Sequence, residues 1–428
     1  MQRAIGLSTA TALVVGTIIG SSIFVQASEI TSFVPDPTLV ILVWAVAGIL
    51  TLVGALVCAE LASAYPRTGG LYVYLNEIYS PLLGFLWGWA MVWSMHGGIL
   101  AAIATVFARY AGFFVPLNDV TTRLVAISAI VLLSAINYFG VRFGGGVQSA
   151  FTLVKVIAVL LIIALGFYFQ VPSSSADGGT SIAEPVIPMS NFFLAVGAGL
   201  FAFGGWHMVT YTAGETIDPA RTIPRSLMIG VAIVTLCYVG LNVVYLSVLP
   251  LATVMKSTRV AADTFEVLIG PQAAGAISAL VLFSSFGALN GIVLMGPRVY
   301  YQMAQDKLFF GWAAHLHPVY QTPDRAIILQ GAIASVLVAT GSYRTLFTRV
   351  IYTEWVFFAL AAFGIILMRR RPGYAPAWKM PLVPIAPILF VIVSLLIVAN
   401  QIRSNWQNAA VGLAIVATGF PAYYFWRK

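Results

Sequence analysis

Three short stretches of this 428-residue chain carry polar or flexible residues inside otherwise apolar sequence. Gly16-Thr17-Ile18-Ile19-Gly20-Ser21-Ser22-Ile23-Phe24 interrupts the first long apolar segment, and Phe201-Ala202-Phe203-Gly204-Gly205-Trp206 interrupts the sixth. Lys155 stands within Phe151-Thr152-Leu153-Val154-Lys155-Val156-Ile157-Ala158, inside the fifth. None of these is a catalytic pattern. Gly144-Gly145-Gly146 lacks the strand–turn–helix context of a dinucleotide site. No zinc-ligand spacing, phosphate loop or nucleophile elbow occurs, so no catalytic residue, metal or cofactor is assigned. The chemistry on offer is ligand binding, by backbone groups and by one buried ammonium.

The two glycine-containing stretches invite helix breaks. Glycine weakens a helix interior by roughly 1 kcal/mol relative to alanine, and serine hydroxyls can satisfy freed backbone groups. Close helix packing through small residues explains either stretch taken alone. As a pair they say more, because they lie five segments apart and so cross a bilayer in opposite directions. Paired glycine-interrupted segments in matching positions of two inverted halves point to a transporter's midplane site. Irregular backbone at that depth is tolerated only where it lines a cavity or is buried in protein. Once unwound at Gly20-Ser21-Ser22, the second half of the first segment would aim free N–H groups at an anion. Exposed carbonyls of the sixth would suit a cation. An α-amino acid carries both charges on neighbouring atoms.

A lysine near the centre of a membrane helix costs about 2.5–3.5 kcal/mol on insertion scales. Lys155 could snorkel to the interface. Its place about seven residues into the segment, at 1.5 Å per residue, instead puts its Cα about 10 Å deep. There the ammonium would be held by carbonyls of the broken helix and act as a tethered cation. Ser284 and Ser285 are its candidate partners.

The elements that must position these groups follow from composition. Hydrophobic residues make up 60% of the chain and charged residues 8%, where a soluble domain carries about 25% charged. That excludes a water-facing surface of this size. A span needs about 20 apolar residues, and twelve are read at roughly 8–31, 38–63, 82–112, 121–140, 148–170, 190–213, 226–249, 272–303, 325–341, 347–368, 383–400 and 406–426. The first lacks a small-residue cleavage site ahead of a soluble domain and is read as a span, not a signal peptide. With both termini in the cytoplasm, Lys and Arg favour the inner side by about two to one, Arg369-Arg370-Arg371 among them. The net charge of +8 thus follows topology, and no nucleic-acid partner is expected. Tyr65 to Ser80 reads as amphipathic at the inner interface, Leu251 to Gly270 as a short external helix, and 171–188 as an external connection. Cys58 and Cys237 lie in apolar segments and imply no disulfide.

These residues also carry a family resemblance. The chain resembles the amino acid–polyamine–organocation superfamily, and within it the L-type amino acid transporter branch, over nearly its whole length. The similarity is strongest in GTIIGSSIF at 16–24, Pro66-Arg67-Thr68-Gly69-Gly70-Leu71-Tyr72, Lys155, FAFGGW at 201–206 and Gly214-Glu215-Thr216 through Pro219. Pro297-Arg298-Val299-Tyr300 to Asp306 and His317-Pro318 to Pro323 resemble the loop after the eighth span. The resemblance implies an all-α polytopic fold of twelve helices with a five-plus-five inverted-repeat core, as in LeuT-like transporters. The repeats would cover about 8–170 and about 190–368, with two extra helices at about 383–426, in one transport domain spanning 1–428. It implies a substrate carboxylate at the backbone of Ser21 and Ser22 and an amine at carbonyls of Ile18, Phe201 and Gly204, with Gly20 among the substrate-binding residues. Phe201 matches the aromatic gate, with Trp206 beside it, and Lys155 matches the lysine of sodium-independent members. Three departures stand out. Ser22 replaces the usual third glycine, and His207 follows Trp206 where relatives often have Asn. The loop between the third and fourth spans has no Cys, so no disulfide-linked ancillary subunit is expected.

Remaining polar residues have bland readings beside functional ones. His207 either faces the substrate side chain or is a structural histidine, and His96 has less to recommend it. Glu60, Glu215 and Asp218 are expected to pair with Arg67, Arg221 or Arg225. Glu354, an intramembrane carboxylate, is functional by default, but its place near a span end suits a solvated or paired residue equally. The function expected is a stand-alone, lipid-embedded plasma-membrane carrier, sodium-independent and exchanging small neutral amino acids. A proton-coupled symporter is the alternative. A carrier of polyamines or cationic amino acids would need carboxylates near the pocket, and the spans nearest the breaks supply few. A channel would need a charged ring or filter, which the sequence lacks.

Overall fold

In lipid a chain satisfies its backbone only by closing hydrogen bonds within each segment. The computed structural model describes residues 2–169, 187–341 and 351–427, and they are overwhelmingly helical. The β pairing among them is a single parallel bridge between Ile5 and Thr216. Ten helical segments among the described residues are long and apolar enough to cross a membrane. The chain is an all-α polytopic membrane protein.

The first span is interrupted, with α1 (Leu7–Ile18) and α2 (Gln26–Phe33) joined by a 3-10 turn at Ser22–Phe24. The second, α3 (Pro37–Ala64), starts where Asp36 accepts the Leu39 N–H at 2.7 Å and Pro37 fills the first turn; both are helix-start signals. A short α4 (Leu71–Ile78) precedes the third span, α5 (Pro81–Ala90) and α6 (His96–Ala111), which are joined by a π-helical turn at Met91–Met95. The fourth and fifth are α7 (Asp119–Tyr138), begun by an Asn118–Thr121 capping box, and α8 (Val141–Tyr168). The sixth starts as α9 (Met189–Ala202) and ends as a 3-10 helix at Trp206–Glu215. Then come α10 (Pro219–Val248), α11 (Leu251–Lys256), α12 (Val260–Ile269), α13 (Ala273–Met295) and α14 (Pro297–Gln305). Where the ninth to twelfth spans are expected stand α15 (Asp324–Thr340), α16 (Ile351–Met368), α17 (Ile385–Ser404) and α18 (Trp406–Trp426), of which α15 and α16 fall outside those ten.

The segments with most of their residues inside the protein are the first, third, sixth and eighth spans, whose apolar windows are 67%, 67%, 72% and 72% buried. The fourth, fifth, eleventh and twelfth are 22–28% buried and present their side chains outward. The interrupted spans therefore lie at the centre, where α1 packs against α8, α10 and α13.

The 65–80 stretch leaves Arg67 exposed and Asn76 and Glu77 partly so, while Leu71, Tyr72, Val73, Tyr74, Leu75 and Ile78 of α4 are buried where α4 packs against α5 and α16. The 251–270 stretch is two helices, α11 and α12, not one. The π-helical turn in the third span has no counterpart in the sequence reading. The start of the expected tenth span, at 347–350, and nearly all of the 171–188 connection lie outside the described residues.

Candidate functional site

The first break opens where α1 stops at Ile18. The Ile19 N–H still reaches the Val15 carbonyl at 2.8 Å, but the Gly20 N–H turns back to Ile18 at 2.8 Å. The pattern resumes with Phe24 to Ser21 and Val25 to Ser22, both at 3.1 Å. Between them the N–H groups of Ser21 and Ser22 have no backbone acceptor among the described residues. Such free amides are what a carboxylate needs.

The second break follows Ala202. Gly204 N–H bonds the Phe201 carbonyl at 2.8 Å, and Gly205 sits in the left-handed region at φ 94°. Only glycine takes that conformation at little cost. A Cβ at Gly205 would also lie 2.6 Å from Cγ2 of Thr17, so the two interrupted helices touch at this point. Gly16 plays a matching part toward α8: a Cβ there would meet the Thr152 hydroxyl at 2.1 Å and the Gln148 amide at 2.2 Å. Its absence lets α8 approach α1 closely enough for Lys155 to reach the break.

Lys155 is fully buried. Its Nζ donates to the carbonyls of Gly16 at 2.9 Å, Ile19 at 2.8 Å and Ser284 at 3.1 Å. An ammonium has three donors and no acceptor, so this set satisfies it. The Ser284 hydroxyl lies 3.2 Å from the carbonyls of both Ile19 and Gly20. Ser285 does not join them, because its hydroxyl donates to Val281 of its own helix at 2.7 Å. The snorkelling alternative for Lys155 is excluded by its burial.

A residue absent from the sequence reading links the breaks. The Tyr238 hydroxyl, on α10, is 2.9 Å from the Ile18 carbonyl and 3.0 Å from that of Ala202. Its ring is held edge-on by Trp44, at 5.3 Å between centroids, and at a tilt by Phe203 at 4.9 Å. Ser22 adds a longer contact from its hydroxyl to Ala202, at 3.4 Å. A lone tyrosine in a long apolar helix carries no signal that could have singled it out.

One cavity joins these features. Ile18, Gly20, Ser21, Ser22, Phe201, Gly204 and His207 all line it, together with Thr17, Ala202, Gly205 and apolar residues including Ile99, Leu200, Met208 and Ile292. Lys155, Ser284 and Ser285 stand behind this wall and do not line it. Trp206 does not line it either. It is 2% exposed and packs on Phe358 at 5.0 Å and against α3 beside Gly54, which places it behind the lining. The cavity also takes in His96, Glu354 and Trp355. His207 is boxed by Trp87, Trp206, Tyr211 and Phe358 at 4.9–5.8 Å, and neither ring nitrogen has a hydrogen-bond partner among the described residues. His96 contacts the Tyr300 hydroxyl through Nδ1 at 3.2 Å and leaves Nε2 without a partner. No three His, Cys, Asp or Glu side chains converge on a metal position among the described residues.

The acidic residues near the helix ends pair with other bases than their sequence neighbours. Glu215 forms a buried two-contact pair with Arg298 at 2.7 and 3.0 Å, both side chains 1% exposed. Glu60 binds Arg369 at 2.6 and 3.0 Å and accepts the Met380 N–H at 2.6 Å. Only Asp218 contacts an expected partner, Arg221, in an exposed pair at 3.9 Å. Arg67 contacts Glu77 instead. Next to Glu215, the N–H groups of Ala4 and Ile5 donate to its carbonyl at 2.8 and 2.9 Å, and Ile217 N–H returns to Ile5 at 2.9 Å. The chain's first residues are thereby strapped to the end of the sixth span.

The cavity thus brings the free amides of Ser21 and Ser22 together with a largely apolar lining. A family model described as amino acid permease matches residues 5–421. The chain is 32% identical to the serine/threonine exchanger SteT of Bacillus subtilis, over all of this chain and 98% of that protein. It is 30% identical to the human b(0,+)-type amino acid transporter 1, over 95% of this chain and 84% of the relative. It is also 30% identical to the large neutral amino acids transporter small subunit 2 of Oryctolagus cuniculus, over 99% and 80%.

Proposed function

The chain belongs to the amino acid permease family, and from that premise we propose that it is a sodium-independent exchanger of α-amino acids working by alternating access. Its family and relatives are transporters, not enzymes. The observation that carries sodium independence is the Lys155 ammonium on the carbonyls of Gly16, Ile19 and Ser284. A fixed cation there leaves no place for a mobile one. The substrate carboxylate sits on the N–H groups of Ser21 and Ser22, and its amine on carbonyls at Ile18, Phe201 and Gly204. Phe201 closes over it. Two inverted repeats, about 8–170 and about 190–368, rock around this point. Exchange as the mode draws support from the name of the Bacillus subtilis relative.

The protein works in the plasma membrane with both termini in the cytoplasm, in keeping with the bias of Lys and Arg. It acts without a disulfide-linked subunit, since Cys58 and Cys237 are both buried. Proton-coupled symport is the second reading, favoured by titratable Glu354 and His207 in the cavity.

Purified protein in liposomes tests this. Labelled amino acid should enter faster when the lumen holds unlabelled amino acid, equally in sodium and in choline media. If no internal amino acid stimulates entry, exchange is wrong. Uptake into empty vesicles driven by a pH gradient would put symport in its place.

A further inference from the structure

The backbone contacts at the two breaks recognise what all α-amino acids share, and leave open which side chain the cavity accepts. We propose that Glu354, together with His96 and His207, forms a side-chain subsite for a positively charged amino group on a short aliphatic stem. The favoured substrates are then short diamino acids. This rests on the amino acid reading above and replaces the expectation of a small neutral side chain.

Glu354 reaches the cavity from α16, in the tenth span. It is 8% exposed, and the ion pairs among the described residues leave it out. A carboxylate taken out of water and left unpaired is expensive, and a cation supplied by the substrate removes that cost. The imidazoles complete the recognition. His207 offers two unpartnered ring nitrogens and His96 one, and a neutral imidazole presents one acceptor nitrogen. In the tautomer in which His96 Nδ1–H donates to the Tyr300 oxygen, its Nε2 is the acceptor, and a carboxylate with two imidazoles then matches the three donors of an ammonium in kind and number. A side-chain carboxylate would meet like charge instead.

Among the described residues, no ion pair to Glu354 occurs, and the buried cations are engaged elsewhere. Lys155 spends its donors on three carbonyls, and Arg298 and Arg369 are held by Glu215 and Glu60. The apolar lining at Ile99, Leu200 and Met208 offers methylenes of the stem a dry surface.

The test pairs each diamino acid with its neutral isostere: 2,4-diaminobutyrate with norvaline, and ornithine with norleucine. Each competes against labelled alanine exchange in proteoliposomes preloaded with unlabelled alanine. In the wild type the diamino acid should compete at least tenfold more effectively than its isostere. Glu354→Gln should cut that ratio by tenfold or more, and Glu354→Asp, which keeps the charge, should preserve a preference. Norvaline competing as well as diaminobutyrate in the wild type overturns the subsite, and the exchanger reading still stands. A ratio unchanged by Glu354→Gln does the same. No exchange of any amino acid overturns both. The wild-type ratio is read without any variant, so a Gln protein that fails to reach the membrane does not decide the matter.

Discussion

The ammonium of Lys155 lies 2.8 Å from the carbonyl oxygen of Ile19, the residue at which α1 ceases to be helical. In an unbroken helix that oxygen would accept an amide proton from four residues on. Here a side chain from α8 and the Ser284 hydroxyl from α13 take the amide's place. The amine is covalently part of the protein, so on the proposed reading no mobile cation is needed at the break.

Lys155→Met would keep the bulk and remove all three donors. Each stranded buried acceptor costs about 1–3 kcal/mol, and 1.4 kcal/mol is a factor of ten. Alanine exchange, measured at matched membrane abundance, should fall by tenfold or more. Activity near that of the wild type would mean that the break holds its shape without the ammonium.

Tyr238→Phe is a gentler probe, because Trp44 and Phe203 still hold the ring. Loss of the hydroxyl removes a hydrogen bond worth about 0.5–1.5 kcal/mol, so half-saturating substrate concentration should rise about two- to tenfold. Substrate titration of exchange rate reads this directly. An unchanged value would separate the hydroxyl from substrate binding.

Removing one partner of a buried ion pair costs about 3–5 kcal/mol, whereas replacing both with apolar residues is often neutral. Glu215→Leu should therefore lower the melting temperature in detergent strongly. Glu215→Leu combined with Arg298→Met should recover most of the loss. A double variant no more stable than the single one would refute the pairing as the cause.

A diamino acid exchanged for alanine carries one net positive charge inward. At 100 mV, inside negative, that charge gains about 2.3 kcal/mol. A potassium diffusion potential should accelerate entry of labelled diaminobutyrate against internal alanine and leave alanine–alanine exchange unaffected. Equal rates with and without the potential would contradict net charge movement.

Both breaks are legible in the sequence because glycine and serine stand where a lipid-spanning helix has every reason to continue. Lys155 is legible for a related reason: an ammonium inside an apolar run demands acceptors. Depth counted along one helix, however, says little about direction. Glu354 counts as near the end of its span, yet it lines the same cavity as Ser21 and Ser22. Ser284 and Ser285 are equivalent as letters, and the 100° between them on a helix sends one toward the break and the other into its own backbone. Glu60 and Glu215 pair with arginines 309 and 83 residues away, which proximity along the chain cannot reveal.

Gly205 and Thr17 form a pair whose tolerance for change is shared. A Cβ at 205 collides with Cγ2 of Thr17, and φ at 205 stays left-handed whatever happens at 17. Thr17→Ser deletes the obstructing methyl and keeps the hydroxyl that binds Leu13 at 2.6 Å. Gly205→Ala should thus be less harmful in a Thr17→Ser background than alone, though still strained. A change at either break is thus felt at the other, because the two interrupted spans share this point of contact.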